Sequence, residues 1–225
     1  MAIGIRIDVM PARRQMPQET ERRVRDGASF LSTRHDEAMT DDNGRTTWVL
    51  VDGENIDATL GMSILNRRPQ SEERPRWDRL IDFVQRQWSQ QARGVFFLNA
   101  SAGIPAGFAQ ALKSMNYVVV PLTGTPDQKV VDIAIQRTLA ALLERDDDIM
   151  LLSHDGDFVP DVEQLAGGGR RVGVVGFSEF LSAQLVSIRG VETFDLEDDA
   201  RVFDAPLPRL RAIPIDLFDP RSFLR

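Results

Sequence analysis

Five short runs of this chain are apolar from end to end, and few folds can use such runs. They are Trp48–Val51, Val95–Leu98, Tyr117–Leu122, Ile149–Leu152 and Val172–Phe177, with a shorter sixth at Val191–Phe194. A strand with one wet face alternates polar and apolar residues. A strand rich in β-branched and aromatic residues at every position is covered on both faces, as in a parallel sheet between helices. Helical stretches lie between the runs. Trp77–Gln90 carries Trp77, Leu80, Ile81, Val84 and Trp88 at helical spacing. Pro105–Met115 opens on a proline, which suits a helix start. Asp127–Glu144 is strongly apolar on one side, and Pro160–Leu165 ends at three consecutive glycines, with a further turn or two after Ser178. This alternation predicts a doubly wound α/β domain with right-handed crossovers.

Carboxylates fall where those strands end. Asp52-Gly53-Glu54-Asn55 follows the first run, Lys129-Val130-Val131-Asp132 follows the third, and His154-Asp155-Gly156-Asp157 follows the fourth. In an open α/β sheet the carboxyl ends of the strands meet at one crevice. Carboxylates crowded there repel, so some protonate or a cation sits among them. A hard, oxygen-seeking ion such as Mg²⁺ is the natural occupant, which points to metal-assisted phosphate chemistry. Each piece alone has a plainer explanation. Asp52, Gly53 and Asn55 also make an ordinary Asx turn. Asp132 near a helix start gains from the helix dipole. Asp155 and Asp157 around Gly156, beside Ser153, are the most specific local signal, and their joint occurrence with the other two carries the argument.

Composition narrows the chemistry further. With no cysteine and only His35 and His154, disulfides, thiolate zinc sites, a cysteine nucleophile and histidine-rich metal sites are excluded. No apolar run approaches the roughly 20 residues of a membrane span. The start, Met1-Ala2-Ile3-Gly4-Ile5, lacks the pattern of a signal peptide, so a cytoplasmic location is expected. The net charge of −7 is not that of an obvious nucleic-acid binder, although it says little about local patches. Basic residues are nearly all arginine, the exceptions being Lys113 and Lys129. Lys129 shares a helix face with Asp132 and either contacts phosphate or pairs with that carboxylate. Arg67 and Arg68, followed by Arg74, Arg76 and Arg79, crowd the segment after the first acidic motif. They are candidates for substrate phosphate contacts, but Glu72, Glu73 and Asp78 among them fit a solvated loop equally well.

Val51-Asp52-Gly53-Glu54-Asn55-Ile56, Lys129-Val130-Val131-Asp132 and Leu152-Ser153-His154-Asp155-Gly156-Asp157-Phe158-Val159-Pro160, in this order and separation, resemble the NYN domain family of the PIN-like nuclease superfamily. The resemblance covers about residues 46–196. It implies a Rossmann-like three-layer α/β/α sandwich with a mainly parallel central sheet, and a ribonuclease dependent on Mg²⁺ or Mn²⁺. By that likeness Asp52, Asp132, Asp155 and Asp157 form the catalytic and metal-binding cluster, Asn55 supports Asp52, and Ser153 assists the third motif. Lys129, Arg67 and Arg68 would contact the RNA, single-stranded or structured. Where the family commonly has a small residue, usually glycine, this chain has His154, which bears on the pocket's shape or substrate preference. With two ions about 4 Å apart, in-line hydrolysis would leave a 5′-phosphate and a 3′-hydroxyl without an amino-acid nucleophile.

The expected organisation is a disordered extension over 1–45 with a short helix near Glu19–Phe30, the catalytic domain over 46–197, and a proline-containing tail over 198–225. Phe218, Phe223 and Leu224 would dock that tail on the domain or a partner. Three other readings stay open: a non-cleaving RNA-binding or regulatory module of the same fold, a phosphohydrolase for small phosphate esters, and an interaction protein acting through its tails. An aspartate-nucleophile phosphatase would want a second aspartate two residues after Asp52, where Glu54 stands.

Overall fold

The structure, a computed structural model, describes residues 44–125, 127–210, 215, 218–222 and 224. Residues 1–43 of the expected N-terminal extension, with its helix near Glu19–Phe30, and Phe223 lie outside the described residues.

Six strands form one parallel sheet: β1 (Thr46–Asp52), β2 (Gln91–Asn99), β3 (Tyr117–Leu122), β4 (Asp148–Leu152), β5 (Val172–Gly176) and β6 (Val191–Asp195). Their order across the sheet is β3-β2-β1-β4-β5-β6. All five pairings are parallel. Helices connect them: α1 (Gly53–Ala58) and α2 (Trp77–Trp88) before β2, α3 (Ala106–Ser114) before β3, α4 (Val130–Leu142) before β4, α5 (Val159–Ala166) before β5, and α6 (Ala183–Ser187) before β6. The fold is the expected α/β class, and the strand order reverses between β1 and β4. Such a reversal splays the flanking crossovers and opens a crevice at the carboxyl ends of the strands.

The uniformly apolar runs have a direct cause. Successive residues of a strand point to opposite faces, and both faces of the central strands are covered. Val49 and Val51 of β1 and Met150 and Leu152 of β4 join one core with Leu60, Leu80, Val84 and Phe96. Leu50, Ile149 and Leu151 join the other with Ile135, Leu139 and Phe158. The register sets Val51 opposite Leu152, so the next residues, Asp52 at the end of β1 and Ser153 just after β4, emerge side by side.

Two features depart from the expected pattern. The Asp52-Gly53-Asn55 segment is not an isolated turn: the chain enters α1 at Gly53 and continues as a π-helix over Thr59–Leu65. Asp52 caps the helix by accepting the Asn55 N–H, and burial of Ile56, Leu60 and Ile64 holds a sequence whose glycine, asparagine and aspartate favour helix poorly. The second feature follows β6. Residues 198–209 form no helix or strand, yet Ala200, Val202 and Leu207 are buried in the first core. Asp195 turns the chain by accepting backbone N–H groups of Ser178, Glu197 and Asp198. The Arg209 guanidinium then lies 5.3 Å from the Phe177 ring centroid. Phe218 and Leu224 are exposed.

Gly94 of β2 lies opposite Tyr117 of β3, and a methyl there would overlap the buried tyrosine ring. Gly94→Ala is therefore expected to destabilise the domain by about 1–3 kcal/mol, as overpacked cores do. A denaturant midpoint unchanged from the parent would contradict this packing.

Candidate functional site

Asp52 is the last residue of β1 and is only 3% exposed. One oxygen, Oδ1, accepts the Asn55 backbone N–H at 3.1 Å, and the other, Oδ2, accepts the Ser153 hydroxyl at 3.0 Å. Ser153 Oγ in turn accepts the Asp155 N–H at 3.2 Å. The first and third acidic motifs are thus joined through one serine. Burial pushes the Asp52 carboxyl up to about 6; the Asn55 and Ser153 hydrogen bonds oppose the rise, and the charges of Asp132 and Glu54 add to it.

Beside it stand the other three aspartates. Asp132 belongs to the first turn of α4. Asp155 caps the short turn Gly156–Phe158 and accepts the Asp157 N–H at 2.9 Å. One carboxylate oxygen from each of Asp132, Asp155 and Asp157 lies within 4.8 Å of the others. Asp52 is not one of this trio, and each of its oxygens accepts a hydrogen bond from the protein. Lys129, the residue before α4, reaches into the cluster. Its Nζ donates to Asp157 Oδ2 at 3.0 Å and lies 3.3 Å from Asp132 Oδ2. These two carboxylates hold the Lys129 ammonium above its ordinary range. Both expectations for Lys129 are compatible with this position, since it pairs with Asp132 and remains two-thirds exposed at the mouth of the cluster.

The donor set suits a hard divalent ion. Three carboxylates converge and supply only oxygen, the ligand that Mg²⁺ and Mn²⁺ prefer, without thiolate or imidazole to select a softer metal.

Arg67 and Arg68 stand away from the trio. They line a groove of about 1230 Å³ that also takes in Gly53 and Glu54, next to Asp52, and an apolar wall that includes Phe96 and Phe108. Arg67 makes a two-pronged pair with Glu73, which drives that carboxyl down to about 2. Arg74 pairs with Asp57 at 2.8 Å. Arg68 makes no ion pair among the described residues.

His154 has a place that sequence reasoning did not find. It is 8% exposed, and its ring meets Asn55 and Thr59 of the helix that begins at Gly53. Its Nδ1 is 2.6 Å from Asn55 Oδ1 and 3.2 Å from Thr59 Oγ1, and its Nε2 accepts the Phe177 N–H at 2.9 Å. Burial drives the imidazole down to about 4, so it is neutral at physiological pH. The one signal in the sequence was the i, i+4 spacing of Asn55 and Thr59, which sets both on one helix face.

A family profile described as "NYN domain" matches residues 46–192. No curated protein matches the sequence. Among solved structures, the chain is similar to a protein of unknown function from Vibrio parahaemolyticus, with a TM-score of 0.55 at 19% identity, over 72% of this chain and 98% of that one. That likeness supports the fold.

Asp52 carries a testable consequence. Its folded pKa, about 6, lies above the ordinary value of 3.8. A carboxyl raised in this way favours the folded state below pH 3.8, and that contribution is lost as pH rises through 6. In EDTA at neutral pH, Asp52→Asn is expected to stabilise the protein by roughly 3 kcal/mol, the gain vanishing in acid. Denaturant unfolding at both pH values measures this, and a variant less stable than its parent at neutral pH contradicts the burial of the charge.

Proposed function

The chain belongs to the NYN domain family of PIN-like nucleases, and from that membership and the carboxylate trio we propose that it is a divalent-metal-dependent ribonuclease. The observation that carries the reading is the convergence of Asp132, Asp155 and Asp157 at the point where strand order reverses. In this reading these three hold Mg²⁺ or Mn²⁺ together with Asp52, which Asn55 and Ser153 fix in place. A bound divalent ion supplies a nucleophilic water and charge stabilisation on the phosphate. The protein's own groups do the rest. Lys129 presents an ammonium at the mouth of the cluster, where a phosphodiester oxygen can replace one of its carboxylate partners. Arg68, which makes no ion pair among the described residues, offers its guanidinium to the RNA backbone, and Arg67 a second one once it leaves Glu73.

No helix among the described residues is long and apolar enough to cross a membrane. A cytoplasmic location, a catalytic unit over 46–197 with residues 198–209 packed on its core, and a protein partner for the N- or C-terminal tail complete the proposal.

Labelled RNA should be cut with Mg²⁺ or Mn²⁺ and left intact in EDTA. Asp157→Asn should lower the rate about 100-fold or more, as loss of a transition-state electrostatic contact does, with the fold unchanged. Full activity in that variant sinks the assignment. Metal-dependent RNA binding without cleavage favours the non-cleaving module, and turnover of small esters alone favours the phosphohydrolase. For RNA binding, Arg68→Ala should reduce the slope of log affinity against log salt by about 0.7, the value for one single-strand phosphate contact. Arg67→Ala should change it less, because Glu73 already neutralises that guanidinium. An unchanged slope for Arg68→Ala removes it from the interface.

A further inference from the structure

Asn55 is held by two donors from one residue. The His154 backbone N–H reaches Asn55 Oδ1 at 3.0 Å, and a backbone N–H can only donate, so that atom is the amide oxygen. The imidazole Nδ1 meets the same oxygen at 2.6 Å. On the other side of the ring, Nε2 lies 2.9 Å from the Phe177 backbone N–H, again a donor alone. Nε2 therefore carries the lone pair. A neutral ring has one proton, which must sit on Nδ1, pointing at Asn55 Oδ1 with Thr59 Oγ1 nearby. The tautomer is fixed by the protein at both ends.

The surroundings are shaped for this ring. It stacks on Phe177 with centroids 5.6 Å apart and planes within 9°. A Cβ at Gly176 would lie 2.8 Å from His154 Cδ2 and 2.9 Å from Nε2, so only glycine at 176 leaves room for the imidazole. Asn55 is also the residue whose own N–H holds Asp52 Oδ1. The path from β5 to the buried carboxylate thus runs Phe177 N–H, imidazole, Asn55 side chain, Asn55 N–H, Asp52.

We propose that His154 is a positioning residue: its Nδ1–H, donated to Asn55 Oδ1, sets the first turn of α1 so that the Asn55 N–H orients Asp52 for the chemistry of the aspartate cluster. The inference rests on the ribonuclease reading for its catalytic consequence, but not for the tie itself. The His154 ring makes its hydrogen bonds to Asn55, Thr59 and Phe177, none of them in the trio; it acts through Asn55.

Two isosteric substitutions separate positioning from simple support. The amide nitrogen of asparagine falls where Nδ1 stands and can donate to Asn55 Oδ1. The amide oxygen of glutamine falls where Nε2 stands and can accept from Phe177, leaving Asn55 without the side-chain donor. His154→Asn should keep kcat for RNA cleavage within about threefold of the parent, while His154→Gln should lose about tenfold or more with KM unchanged, as disrupted outer contacts of a metal site do. Equal losses in both, or the reverse order, overturn the proposal, because a residue that merely anchors β5 would be better replaced by glutamine. The tie is read independently by nitrogen-15 NMR of the parent, whose only other histidine is His35. At neutral pH His154 should show a proton on Nδ1 whose signal moves in Asn55→Ala. A ring protonated on Nε2, or a signal unmoved by that change, overturns the proposal whether or not the protein cleaves RNA. If the parent cuts no RNA while this signal is present, the ribonuclease reading fails and the tie stands.

Discussion

A carboxylate buried at the end of a central strand has to be compensated, and much of the local structure here is that compensation. Asp52 leaves β1 where the sheet order reverses, almost out of contact with water. Its two oxygens take a helix N-terminal N–H and a serine hydroxyl, so α1 must start at Gly53 and Ser153 must follow β4 directly. Even so, burial outweighs those hydrogen bonds and leaves the carboxyl far above its usual range. Natural proteins keep such unfavourable groups mainly where function requires them. A second layer secures the first: Ser153 also receives the Asp155 N–H, and His154 holds Asn55.

The cluster above Asp52 is more open. Asp157 is exposed, Asp132 and Asp155 are half-buried, and the Lys129 ammonium lies between Asp132 and Asp157. A buried carboxylate beneath exposed ones separates tasks by environment. The deep group is held by the fold, whereas the shallow ones can exchange partners with solvent, cations and substrate. The groove lined by Arg67 and Arg68 takes in Gly53 and Glu54, next to Asp52. Its charges are largely balanced by Glu73 and Asp57, in keeping with the acidic character of the whole chain.

The central strands β4 and β5 were legible because covering both faces of a sheet forces apolar residues into every position, whereas the edge strand β6 exposes Glu192 and Thr193. The direction of the chain between strands followed from the helical stretches. The helix at Gly53 was not legible, because the residues that start it by capping are those that make an Asx turn. Only burial of Ile56, Leu60 and Ile64 against distant strands decides between them. Among the proposed site residues, Asp132, Asp155 and Asp157 are brought together by crossovers whose geometry the fold class dictates. The hydrogen bonds that hold Asp52 to Asn55 and Ser153 are tertiary, and spacing does not reveal them. The Arg67–Glu73 pair and the His154 contacts are likewise tertiary. The partners of the His154 ring lie 99, 95 and 23 residues away in sequence.

The account turns on whether the aspartate cluster takes a divalent ion. Calorimetric titration of the metal-free protein with Mn²⁺, beside Asp155→Asn, addresses this directly, because asparagine keeps an oxygen to accept the Asp157 N–H while removing the charge. Mn²⁺ binding in the parent, weakened about tenfold or more in the variant, is the predicted result. No binding, or equal affinity in both proteins, would contradict it.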